Sequence, residues 1–218
     1  MTKQTKMAIE VAVPMEDTLA AMYLIDKLLT KNRIRMPLTI AYDFSIDECG
    51  TYHPKEPKDA YKIFVNPLQC KSKDDVAAQT QSTEPFCPGY CADLTLFGVT
   101  IHEFCHLLQY RSYPKITMEY CKNFPTERFY LNGYCNNTLQ DELAEIMTLY
   151  ITNPYLLCLV SKPHFKFCKT FFKSPITCSI ERCFFIYDNW PIIVKEHLKN
   201  KWKIVYDMSQ KEFKKIND

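Results

Sequence analysis

Two histidines four residues apart bracket a glutamate in Ile101-His102-Glu103-Phe104-Cys105-His106. On a helix such positions lie one above the other, so His102 and His106 can offer two imidazole nitrogens to one metal ion with Glu103 beside them. The HExxH spacing points to zinc, with the glutamate as general base in peptide hydrolysis. Catalytic zinc takes three protein ligands and leaves one position open. The rest of the chain must therefore provide a third ligand, a strand to hold an extended substrate and a donor for the oxyanion.

A third histidine is not at hand. The residue six after His106 is Ser112, so the extended three-histidine motif is absent, and His53, His164 and His197 have no ligand spacing to recommend them. An acidic ligand is left. After the capping residues Asn136, Asn137 and Thr138, a strongly helical run over residues 139–150 carries Asp141, Glu142 and Glu145 as candidates.

The elements that must position these groups can be read in order. Acidic residues after Pro14, with Leu19, Met22, Tyr23, Leu24 and Leu28 at helical spacing and Lys27, Lys31 and Arg33 towards the end, predict an amphipathic helix. Residues 38–46 alternate as a half-buried strand, residues 47–50 turn the chain, and residues 61–65 form a second strand stopped by Asn66-Pro67. Residues 69–90 read as a long surface loop. The active-site helix starts near Cys91, with Leu94, Phe97, Ile101, Cys105 and Leu108 as its core stripe and Gly98, His102, His106 and Gln109 on the adjacent one. Pro114 closes it. Residues 116–136 are expected to be mostly irregular, with one short helix near 126–130, and residues 155–160, 162–172 and 191–215 to be helical, so that the C-terminal third is all α.

With 218 residues and 47% hydrophobic content the chain is expected to make one compact unit, residues 1–160 as its core and residues 161–218 as a helical, basic extension. Four glycines against thirteen prolines argue against a repetitive all-β architecture. No run of eighteen apolar residues and no convincing signal peptide are present, which argues against a membrane. Eleven cysteines, an odd number at irregular intervals, favour reduced thiols in the cytoplasm; the pairs Cys87/Cys91 and Cys178/Cys183 lack matching partners for a second zinc. Residues 162–218 carry twelve Lys/Arg against six Asp/Glu, an excess that reads as a solvated helical surface rather than as a recognised nucleic-acid motif, so nucleic acid is not expected as a partner.

His102-Glu103-Phe104-Cys105-His106, followed some thirty-five residues later by Asp141, two spacers, Ala144 and Glu145, resembles the gluzincin metallopeptidases, in particular the lethal-factor-like catalytic domains. The resemblance covers residues 36–154. It implies an α+β, zincin-like fold: a small N-terminal sheet packed on the active-site helix, then a mainly α-helical C-terminal part. It implies Zn2+ held by His102, His106 and Asp141, with Glu142 as the alternative third ligand and Glu145 supporting a ligand histidine. The chain departs from the family in having aspartate where glutamate is usual, so the second helix must approach more closely. Glu103 is the implied base, and Tyr134, seven residues before Asp141, the implied oxyanion donor, with Tyr130 less well placed. Tyr61, Ile63 and Val65 belong to the strand that lies along the cleft and pairs with a polypeptide substrate. The function implied is zinc-dependent peptide-bond hydrolysis. The competing expectation is a zincin-fold structural or interaction protein of a larger, virion-like assembly, in which the metal site is not catalytic.

Overall fold

A computed structural model describes residues 15–52, 59–70, 95–125 and 138–174 and the two strands at 204–207 and 212–215. Helix α1 (Met15–Asn32) buries Thr18, Ala21, Leu24, Ile25 and Leu28, one face at three-to-four spacing. Leu19, Met22 and Tyr23, expected in its apolar stripe, are exposed instead. The stripe centred on small Ala21 allows a close approach to the next helix, which the bulkier one would prevent.

Strands β1 (Thr39–Tyr42), β2 (Gly50–Thr51) and β3 (Lys62–Val65) form one sheet in the order β1-β3-β2. β1 runs parallel to β3, with Ile40 opposite Ile63; β2 runs antiparallel, with Gly50 opposite Val65 and Thr51 opposite Phe64. Ile63 and Val65 are fully buried while Lys62 and Phe64 are half-buried, the two-residue period of a strand packed on one face. Of the residues expected along a substrate strand, Ile63 and Val65 turn their side chains into the core and Tyr61, just before β3, is exposed; β3 pairs with β1 along its length and with β2 only at Phe64 and Val65.

Helix α2 (Leu96–Leu107) starts at Thr95, whose hydroxyl accepts from the Gly98 N–H, and packs against α1, β2 and β3. It continues into a π-helical turn, Leu108–Ser112, closed by a 2.8 Å bond from Tyr113 N to Leu108 O. A helix, α3 (Ile116–Asn123), then occupies a stretch expected to be irregular, because Ile116 and Tyr120, four apart, both bury completely. The short helix expected at 126–130 lies outside the described residues. Helix α4 (Leu139–Thr152) packs along α2, and α5 (Pro154–Val160) and α6 (Lys162–Phe171) close the core. Pro154 sits in the first turn of α5, where no N–H is needed, behind the Asn153 cap.

The described residues are therefore mixed α and β and mostly helical. The all-helical C-terminal third is corrected by β4 (Ile204–Asp207) and β5 (Glu212–Lys215), an antiparallel pair in which the β-branched and aromatic run Ile204-Val205-Tyr206 overrides the helical pattern. The expectation of reduced thiols also fails at one pair. Cys49 and Cys70 form a disulfide, because the turn after β3 returns beside the residues leading into β2 and brings the two Cα atoms to 4.7 Å. Cys105, Cys121, Cys158 and Cys168 are free, and both unpaired cysteine motifs lie outside the described residues. Among the described residues no helix is long and apolar enough to cross a membrane.

A polar chain crosses the core beside α4. The Ser161 hydroxyl lies 2.6 Å from His164 Nδ1, His164 Nε2 lies 3.1 Å from the Tyr120 hydroxyl, and that hydroxyl donates to Glu142 Oε1 at 2.5 Å. Neutral His164, donating from Nε2 and accepting at Nδ1, satisfies every bond in the chain. Burial depresses its pKa from 6.5 to about 4. The unfolded chain therefore takes up this proton at a higher pH than the folded one. The stability is fully present above pH 6.5 and is lost as pH falls towards 4, on the order of 3 kcal/mol in all. Urea unfolding of the metal-free protein between pH 4 and 7 is expected to show this slope and His164→Gln to flatten it; an unchanged slope in the variant would remove His164 as its source.

Candidate metal centre

α2 presents His102, Glu103 and His106 at the edge of its buried face: His102 is 6% exposed, Glu103 7% exposed and His106 half-buried. The two Nε2 atoms lie 3.0 Å apart, turned towards one point by their four-residue spacing. Across from them, the first turn of α4 brings Asp141 Oδ1 to 3.3 Å from His106 Nε2. The position of Asp141 follows from a local motif. The Thr138 hydroxyl caps α4 by accepting from Asp141 N at 3.0 Å, and it donates to Asp141 Oδ2 at 2.7 Å. One carboxylate oxygen is thereby anchored and the other is left facing the histidines.

His102, His106 and Asp141 place one donor atom each within 4.8 Å of one another, and they are the group among the described residues that could hold a metal ion. Ligand atoms about 2.0–2.1 Å from a tetrahedral zinc lie roughly 3.3–3.4 Å apart. The His102–His106 and His106–Asp141 separations, 3.0 and 3.3 Å, are within a few tenths of an ångström of that requirement, and all three donors lie within 4.8 Å of one another. Two imidazoles and a carboxylate are also a donor set that suits zinc.

Glu145, one helical turn after Asp141, reaches the outer nitrogen of the first histidine: its Oε1 lies 2.5 Å from His102 Nδ1. A proton on Nδ1 donated to Glu145 leaves the Nε2 lone pair facing the site. Glu142 is elsewhere. It is fully buried, and its Oε1 accepts from Tyr120 on the far side of α4, so the alternative third ligand is not brought to the site. Cys105, between the histidines in sequence, turns into the α2–α4 interface, 3.6 Å from the Thr148 hydroxyl, and burial pushes its thiol pKa up. Tyr134 and Tyr130 lie outside the described residues.

Opposing effects act on the charges. Burial would lower the His102 pKa, but the hydrogen bond and charge of Glu145, with the charges of Glu103 and Asp141, raise it above the ordinary imidazole value. Partial burial would raise Asp141, yet hydrogen bonds from His106 and Thr138 and the nearby imidazoles hold it below the usual carboxylate range. A proton on His102 and a metal ion compete for the same centre, so metal affinity falls with acidification.

Two of the donor residues, His106 and Asp141, line a cavity of about 340 Å³ together with Glu48, Gly50, Thr51, Tyr52, Glu103, Tyr110, Thr138 and Gln140. One wall is β2, an edge of the sheet, and the opposite wall is the start of α4. Gly50, read from the sequence as part of a turn, is what lets β2 lie against α2. A Cβ there would stand 2.6 Å from Val99 Cγ1 and 2.9 Å from Glu103 Cγ. Gly50 and Tyr110 are cavity residues that the sequence reading missed; a lone glycine beside a strand marks close backbone approach and could have signalled the first.

No family model, curated protein or solved structure matches this chain. The functional reading therefore rests on the site itself.

Proposed function

We propose that this protein is a zinc-dependent metallopeptidase of the gluzincin type. The observation that carries the reading is the convergence of one donor atom each from His102, His106 and Asp141, on two helices, to within 4.8 Å of one another, with Glu103 and an open cavity beside them. Zinc at such a centre supplies Lewis-acid polarisation of a carbonyl and acidification of water. The chain's own residues supply the rest. His102, His106 and Asp141 hold the ion, and Glu145 fixes the tautomer of His102. Glu103 takes the proton of the attacking water and passes it to the leaving amide nitrogen.

The polypeptide substrate adds to the sheet at β2, the edge strand that lines the cavity, rather than at β3. Main-chain pairing there gives affinity with little dependence on side chains. Gly50→Ala tests this geometry. The added methyl is expected to destabilise the fold by about 1–3 kcal/mol and, by pushing Glu103 or β2 aside, to lower turnover on the order of 10²-fold. Peptide turnover and thermal unfolding of the purified variant check it, and wild-type turnover would show that the close approach has no bearing on the base. The proposal as a whole is tested by metal analysis of the purified chain together with a general peptide-cleavage assay. One zinc per chain and chelator-sensitive cleavage are expected. Neither zinc nor cleavage would leave the site without this function.

A further inference from the structure

We infer that Gln109 is a positioning residue for the metal centre, clamping the start of α4 at the separation that a short aspartate ligand needs. The inference rests on the metal-site reading above and adds to it the device that sets its third ligand. Gln109 lies in the π-helical turn that ends α2, three residues after His106, and is 4% exposed. Its Nε2 donates to the backbone carbonyl of Gln140 at 3.1 Å, and its Oε1 accepts from the Thr117 hydroxyl at 3.4 Å. The two contacts accept only one orientation of the amide. Gln140 immediately precedes Asp141, so the end of the histidine-bearing helix is tied to the backbone next to the aspartate.

The chemistry explains why such a tie is needed. Aspartate reaches about 1–1.5 Å less far than glutamate, the length of one carbon–carbon bond. The α4 backbone must then stand closer to the histidines and be held there, since an ion cannot follow a retreating ligand without giving up another. A buried primary amide loses free energy unless both its ends are paired, so an apolar side chain would serve packing better at this position. The same π-helical turn directs Arg111 to the strand side of the cavity, where Tyr52 lines it. Arg111 Nε donates to the Tyr52 hydroxyl at 3.2 Å and to Ala60 O at 3.1 Å. One turn thus holds the strand side through Arg111 and the ligand helix through Gln109.

The test is the zinc affinity of the metal-free full chain, measured by competition with a chromophoric chelator. Gln109→Met keeps the buried volume and removes the amide; it is expected to weaken zinc binding about 10–100-fold. The decisive comparison adds Asp141→Glu. In the otherwise native chain the longer side chain overshoots and weakens binding. In the Gln109→Met background it makes up the lost distance and strengthens binding. A residue that merely stabilised the fold would not reverse the sign of that second substitution. Arg111→Met, which loosens the other wall, is expected to leave zinc affinity unchanged, and an equal loss there would assign the Gln109 effect to general loosening. If Gln109→Met does not fold, Thr117→Val frees the amide without touching Gln109 and is expected to weaken zinc about threefold. Native zinc affinity in the folded variant, or the same Asp141→Glu effect in both backgrounds, overturns the clamp alone. A native chain that binds no zinc overturns the metal-centre reading and the clamp with it.

Discussion

Glu103→Gln is expected to lower peptide hydrolysis by about 10²–10⁴-fold, the usual contribution of a positioned general base, while the chain still binds one zinc ion. The two properties separate because Glu103 is beside the cluster of donor atoms and not in it. Glutamine has the same shape and keeps the close packing against Gly50, where a larger or smaller side chain would move β2. What it loses is the ability to take a proton. The measurement is zinc content and cleavage rate on the same preparation. Undiminished cleavage by the variant would withdraw the base assignment, and loss of zinc would mean that Glu103 contributes to the ligand set.

The second large effect separates neighbours in sequence. Asp141→Ala is expected to reduce zinc affinity by more than the roughly 10–100-fold that follows loss of an outer hydrogen-bond partner, with a smaller loss of metal-free stability, that of a part-exposed carboxylate bonded to Thr138 and His106. Glu142→Ala is expected to do the reverse. It removes the fully buried acceptor of the Tyr120 hydroxyl, which costs about 1–3 kcal/mol for the donor left unpaired, and it should leave the zinc affinity of the folded fraction near native. Zinc titration and urea unfolding of both variants decide the matter. A Glu142→Ala chain that folds stably but binds no zinc would transfer the ligand role to Glu142 and overturn the present arrangement.

The legible parts of the site are those fixed by local geometry. His102 and His106 converge because a helix places residues four apart on one face, whatever packs around it. Thr138 and Asp141 are a cap and its third helical residue, a motif contained in four positions. The helices at Met15–Asn32, Leu139–Thr152 and Lys162–Phe171 likewise follow from spacing, caps and prolines close at hand. Helix α3 escaped notice because only two of its residues, Ile116 and Tyr120, bury fully, too few to make a period.

Other features depend on partners distant in the chain. Sequence alone put acids at positions 141, 142 and 145 on one helix but could not say which face each would occupy. Successive helical residues point about 100° apart, and the rotation of α4 was settled by the core, where Tyr120 and His164 meet Glu142 and leave Asp141 towards the histidines. In the same way, the run at 61–65 was recognisable as a strand from its alternation. Its standing as centre or edge was not, because strand order is decided by pairing with residues some twenty positions away. Two residues at Gly50–Thr51 were enough to pair with Phe64 and Val65 and form the edge there. Sequence determined that two imidazoles share a helix face with a carboxylate next to them in the chain; tertiary packing decided which acid joins them and which strand walls the cavity, since both choices turn on long-range contacts that no local pattern encodes.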